Sequence, residues 1–216
     1  MGDAAEYYTE NYLPRDDEME NEIIEPENIL YLDIETQHLI TEFPGGWKNP
    51  ENYKRIRIAE LGTLYNGEYK TYEEDNIVDL VFNLVEAKLI VGHNIKQFDY
   101  EVLKHYYDHE ERHVMPELRK KTFDTMLEFQ NFTPRAGWVS LDSISTLNFG
   151  MSKTEDSIKI PEMWRSGQKE KVKEYLKNDL KMTEQFYLAG KKGHKFKYEH
   201  KEYGKSYGER EVYVKW

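Results

Sequence analysis

The sequence predicts an α/β protein with a mixed sheet of about five strands, three antiparallel and then parallel, with flanking helices and a C-terminal β-hairpin. Three observations carry this reading. The stretch "ILYLDIET" is apolar for four residues and then alternates. An Asn66-Gly67 pair separates two alternating stretches. From residue 76 onward, segments with helical spacing bracket a short apolar run, "LIVG".

Residues 1–27 are acidic and show neither period, so they read as a flexible tail ahead of a folded domain. That domain is expected over 28–190, with 191–216 as a hairpin extension of it. Ile29 to Leu32 are nearly continuously apolar, as suits a strand covered on both faces. A loop with "FPGGW" follows, then "RIRIAELGTLYNGEYKTYEE", whose Asn66-Gly67 marks a tight hairpin between strands two and three. Ile77, Leu80, Val81, Leu84 and Val85 fall at i, i+3, i+4, i+7 and i+8, the pattern of an amphipathic helix over 76–87 leading into "KLIVG". "NIKQFDYEVLKHYY" reads as a helix starting just after that strand, with Phe98, Val102 and Leu103 inward. Beyond "TFDTMLEFQNF", the stretch "SLDSISTLNFG" is a helix capped by Ser140 or Asp142 and ended by Gly150. A loop then runs to Pro161. Val172, Leu176, Leu180 and Thr183 mark the inner side of a last long helix, about 168–188, which sets Tyr175 and Asp179 one turn apart. "KFKYEHKEYGKSYGEREVYVKW" alternates around Gly204 and Gly208 and is expected to append a hairpin to the sheet.

A chain of 216 residues can bury a full core. With 38% hydrophobic and 33% charged residues and no long apolar run, neither a membrane-spanning helix nor a secretory leader is expected, and the location expected is cytoplasmic. Glu6 stands where a myristoylation signal needs Ser or Thr. The absence of cysteine excludes disulfides and thiolate zinc sites. A net charge of -11 argues against indiscriminate nucleic-acid binding. The acids crowd the first 28 residues, however, while Lys169, Lys173, Lys177, Lys191, Lys192, Lys195 and Lys197 crowd the last fifty. Those lysines either guide a substrate backbone or form a solvated helix face.

Asp33 and Glu35 are two residues apart on one strand and so point to the same side. Two carboxylates there repel each other, and a hard divalent cation that takes oxygen ligands relieves the repulsion. Further acids stand at matching places: Asp99 at a helix start after another strand, and Asp179 on the last long helix. In parallel-type sheets functional groups gather at strand ends and the helix starts beside them, so these four acids can converge.

The stretches "LDIET", "GHNIKQFD" and "YLKND" resemble the three motifs of the DEDD 3′–5′ exonucleases of the ribonuclease-H-like superfamily. Tyr175, four residues before Asp179, matches the tyrosine branch of that group. The resemblance covers roughly residues 28–216. It extends to proofreading domains of family B DNA polymerases and to a bacterial and archaeal group of exonuclease domains, some associated with helicases. It implies a ribonuclease-H-like fold and hydrolysis of single-stranded nucleic acid from the 3′ end, with DNA the expected substrate and RNA not distinguished. Two Mg²⁺ or Mn²⁺ ions are implied as cofactors. By the same resemblance Asp33 bridges both ions, Glu35 and Asp179 complete the first, and Asp99 holds the second partly through water. Glu35 and Tyr175 would orient the attacking water. Thr36 and Gln37 would approach the terminal nucleotide, and a helicase, polymerase or other nucleic-acid-processing protein is a candidate partner. The alternative reading is a non-catalytic docking module for such a partner.

Other residues carry weaker signals. Asn94 either contacts the strand or caps a turn. Phe98 reads as packing beneath Asp99, Asp142 as a helix cap, and His93 as packing at a strand end; Asp124 has no assigned role. His105, His109 and His113 recur at i+4 steps, but three ligands on one straight helix spread too far along its axis to surround one ion.

Overall fold

The apolar run that opens the folded part of the chain becomes the central strand. The computed structural model describes residues 28–107, 114–134 and 136–216, so the acidic stretch 1–27 and the histidines at 109 and 113 lie outside the described residues. Five strands form one sheet, namely β1 (Ile29–Thr36), β2 (Ile58–Tyr65), β3 (Glu68–Tyr72), β4 (Leu89–Gly92) and β5 (Thr122–Asp124), in the order β3-β2-β1-β4-β5. β1, β2 and β3 pair antiparallel, while β4 joins β1 and β5 joins β4 in parallel. The β2–β3 turn has Asn66 and Gly67 both at positive φ, 50° and 77°, as a two-residue hairpin loop that follows the strand twist requires.

Alternation along β1 splits its side chains between two layers. Leu30, Leu32 and Ile34 are buried in the larger core. That core is closed by residues of α1 (Asn52–Arg55), α2 (Leu80–Glu86), α3 (Asp99–Leu103) and α4 (Val114–Lys120). The helices that follow are α5 (Thr125–Phe132), α6 (Leu141–Phe149), α7 (Ile160–Arg165) and the long α8 (Lys169–Lys192). α8 covers the other face of the sheet, where Tyr31 packs with Val91, Leu180 and Tyr187. Val172, Leu176, Leu180 and Thr183 are buried along it, as their spacing predicts. Gly62, paired with Asp33, lets α8 lie close: a Cβ there would meet Leu176 Cγ at 2.8 Å and Leu180 Cδ1 at 2.9 Å.

Four local expectations are corrected. The C-terminal hairpin, β6 (His194–Glu202) with β7 (Lys205–Val214), is a separate two-stranded sheet and does not extend the five-stranded one. Its apolar side, Phe196, Tyr198 and Val214, packs instead on Phe129, Ile144, Met182 and Phe186. The 76–87 helix opens with a tighter 3₁₀ segment, Glu74–Asp79; Ile77, Leu80 and Leu84 are buried as expected, whereas Val85 is exposed. The helix after β4 begins only at Asp99, because Asn94 adopts a left-handed conformation (φ 65°) and Asp124 takes the backbone N–H groups of Asn94 and Lys96, at 3.0 Å each. Ser140, not Asp142, caps α6: its hydroxyl accepts from the Ser143 N–H at 3.2 Å, while Asp142 accepts from the Lys153 N–H at 2.6 Å. No described helix is long and apolar enough to cross a membrane.

Candidate functional site

Period-two alternation puts Asp33 and Glu35 on the α8 face of β1, and α8 carries Asp179 to meet them. Carboxylate oxygens of Asp33, Glu35 and Asp179 all lie within 4.8 Å of one another. Asp99, the first residue of α3, shares their cleft but stands outside that tight group. The cleft has a volume of about 1190 Å³, somewhat above the usual range for a small-ligand pocket. Asp99 and Asp179 are each 2% exposed, and one oxygen of each, Oδ1, has no hydrogen-bond partner among the described residues.

So many acids in little water raise one another. Burial, then Asp179, pushes the Asp33 carboxyl up to about 7. Burial and then Asp33 raise both Glu35 and Asp99 well above the carboxylate range. Burial also raises Asp179, against the opposing pull of Lys153. A buried, unpartnered carboxylate oxygen is costly, and a set of oxygen donors of this kind suits a hard divalent ion such as Mg²⁺ or Mn²⁺.

Lys153, from the loop after α6, is the residue that sequence reasoning missed. Its ammonium donates to the Tyr175 hydroxyl at 2.6 Å and to Asp179 Oδ2 at 2.5 Å. Burial works against that charge, but Asp179 and Glu35 outweigh it and hold the lysine pKa up. Tyr175 is fully buried on α8 among Ile160, Met163 and Val172, and meets the acids through Lys153 and Asp179. Burial, followed by the charges of Glu35 and Asp179, raises its hydroxyl far above the usual phenol range, so it stays protonated.

The surrounding residues divide by what holds them. Thr36 lines the cleft, and its hydroxyl donates to the His38 carbonyl at 2.9 Å. The Gln37 amide donates to the Ile58 carbonyl and to Glu74, and its side chain is not part of the cleft lining. Asn94 and Phe98 both line it; Phe98 also packs against the large core and against Trp47 and Tyr53. Asp124 is the helix cap of α5, accepting from the N–H groups of Met126 and Leu127 as well as from the Asn94 loop, so one carboxylate braces the approach to Asp99. A strand-end Asp directly before a helix is the signal that could have found it. His93 bonds Thr125 and the Val139 carbonyl, and burial lowers its pKa to about 4, leaving it neutral. The lysines of the last fifty residues are absent from the cleft lining: Lys169 pairs with Glu73, Lys173 with Glu170 and Lys195 with Glu211.

Fold and site together define an α/β protein whose architecture is consistent with the ribonuclease-H-like fold, carrying an acidic group that could hold a metal ion. No family model and no curated protein matches the chain. Among solved structures it is similar to the family B DNA polymerase from the hyperthermophilic archaeon Pyrobaculum calidifontis, with a TM-score of 0.53 and 19% identity. The match covers 79% of this chain and 25% of the polymerase, so the likeness is one of fold and the chain spans about a quarter of that protein's length.

Proposed function

We propose that the cleft is the active site of a metal-dependent 3′–5′ exonuclease of the DEDD type with a tyrosine, acting on single-stranded nucleic acid, DNA in the first place. The observation that carries this reading is the convergence of Asp33, Glu35 and Asp179 within 4.8 Å, with the buried Asp99 in the same cleft. In this reading Asp33, Glu35, Asp99 and Asp179 hold two Mg²⁺ or Mn²⁺ ions. When bound, such ions supply charge neutralisation at the phosphoryl oxygens, an acidified water and stabilisation of the leaving oxygen.

The chain's own groups do the positioning. Hydrolysis joins the water oxygen to phosphorus, breaks the P–O3′ bond, and leaves a 3′-hydroxyl on the shortened strand and a 5′-monophosphate on the released nucleotide. Glu35 accepts a hydrogen bond from the attacking water and orients it. Lys153 donates to the Tyr175 oxygen and holds the buried phenol against Asp179, so in this reading Tyr175 helps to orient the attacking water from beside that carboxylate. Thr36 and Asn94, which line the cleft, would contact the terminal nucleotide and the strand respectively. Gln37 shapes the turn after β1 through Ile58 and Glu74 rather than reaching the strand.

A second reading, a non-catalytic docking module for a helicase or polymerase, draws on the Lys153 ammonium, which already balances part of the acidic charge. Digestion of end-labelled DNA and RNA strands with Mg²⁺, Mn²⁺ or excess chelator separates the two. Stepwise shortening from the 3′ end that stops in chelator is expected; intact strands under every condition would leave the docking reading.

A further inference from the structure

Trp47 and Trp138 are 58% and 67% exposed, unusual for the largest apolar side chain, and both line the cleft that holds the carboxylates. Neither sits on a loose loop. Trp47 packs edge-on against Phe98 and Tyr53, with ring centroids 5.7 and 6.4 Å away. The backbone around it is tied down by the buried Asn52 amide, which donates to the Pro44 and Gly46 carbonyls at 3.1 and 2.9 Å. On either side of Trp138, the Gly137 N–H donates to the Lys201 carbonyl and the Val139 carbonyl bonds His93. The Trp47 ring is thus held by its aromatic neighbours and the Trp138 backbone is tied on both sides, and each indole keeps much of its surface toward solvent.

The charge around them narrows the ligand. Beyond the four site acids, Asp142, Glu155 and Asp156 also face the cleft, and Lys153 is its only lysine or arginine among the described lining residues. Ordinary strand binding rests on lysine and arginine neutralising phosphates, and this cleft offers almost none of that. Stacking on aromatic rings is the other general source of single-strand affinity, and it requires unpaired bases. We infer that Trp47 and Trp138 are stacking platforms for the unpaired bases of a strand whose 3′ end lies at the carboxylates, so that bases rather than phosphates hold the strand. The placement of the strand end rests on the exonuclease reading; the stacking itself does not.

The test is binding of a cleavage-resistant, phosphorothioate-linked oligothymidylate and of its abasic counterpart, in Ca²⁺ to neutralise the carboxylates. Wild type should bind the thymidylate strand more tightly than the abasic one. Trp47→Leu and Trp138→Leu should each weaken thymidylate binding by about 5- to 150-fold and leave abasic binding nearly as it was. Trp47→Phe and Trp138→Phe should keep most of the affinity, which also guards against a folding defect in the leucine variants. Equal binding of the two strands by wild type, no detectable binding of either, or leucine variants that bind like wild type would overturn the inference. If wild type prefers the thymidylate strand yet leaves ordinary strands uncut in Mg²⁺ and Mn²⁺, the exonuclease reading falls and the stacking stands. If it cuts ordinary strands but treats the abasic probe alike, the stacking falls alone.

Discussion

Asp33 holds its proton to about pH 7 in the folded protein and to about pH 4 in an unfolded chain. Between those values the folded state binds the extra proton, so the contribution of this group to metal-free stability declines as pH rises from about 4 to about 7. Asp33→Asn removes that penalty. In chelator the variant should melt above wild type at about pH 8, and the gap should close near pH 4; a constant gap would mean that the shift is not real. Lys153→Ala has the opposite sign, since it leaves Asp179 without its ammonium, and a loss of roughly 1–3 kcal/mol is expected in chelator. Thermal melts with and without Mg²⁺ check this, because a bound divalent ion should restore much of the deficit. Tyr175→Phe keeps every carboxylate, so calorimetric metal titration should match wild type while the cleavage rate falls by about 10- to 1000-fold. Lost metal binding in that variant would show the tyrosine to be misassigned. Period two paired Asp33 with Glu35 and the helical turn paired Tyr175 with Asp179, while the motif resemblance joined these pairs and Asp99 into one expected site. Lys153 was not, since it reaches Tyr175 and Asp179 from a loop that has no period to read.

At the scale of elements, the site depends on how closely α8 lies on β1 and β2. Gly62 stands opposite Asp33 in the register and beneath Leu176 and Leu180, one residue beyond Tyr175 and Asp179 respectively. Gly62→Val should cost about 1–3 kcal/mol by overpacking and should separate Asp179 from Asp33. Metal affinity should therefore fall in protein that is still folded at the assay temperature, as calorimetric titration would show; unchanged affinity would mean that α8 does not set the cluster. The existence of β1 to β4, α2, α3, α6 and α8 followed from alternation and helical spacing, and the Asn66-Gly67 turn fixed the β2–β3 pairing, whereas the short α1, α4 and α7 carry too few turns to show a period. The partner of the C-terminal hairpin was not legible, because alternation marks a strand's apolar side without naming what covers it. Phe196, Tyr198 and Val214 found α5, α6 and α8 rather than the sheet edge. The late start of α3 was hidden for a related reason: Asp124, thirty residues downstream of Asn94, diverts the backbone donors of that loop.

For the whole molecule, the net charge of -11 and a cleft whose charged lining residues are acids apart from Lys153 set the long-range field. The lysines of the last fifty residues are paired or directed elsewhere than the cleft. Strand affinity should therefore depend weakly on salt, with a log–log slope no steeper than about -1.5 for a single strand. A slope beyond about -3 in a salt titration would return those lysines to a role in guiding the backbone. The central claim, that the converging carboxylates perform phosphodiester hydrolysis, is tested most directly by the single-turnover rate of Asp33→Asn beside wild type on a labelled single strand in Mn²⁺. Wild type should shorten the strand from its 3′ end while Asp33→Asn, folded and at least as stable in chelator, leaves it nearly intact. A variant that cuts at the wild-type rate would contradict the catalytic assignment.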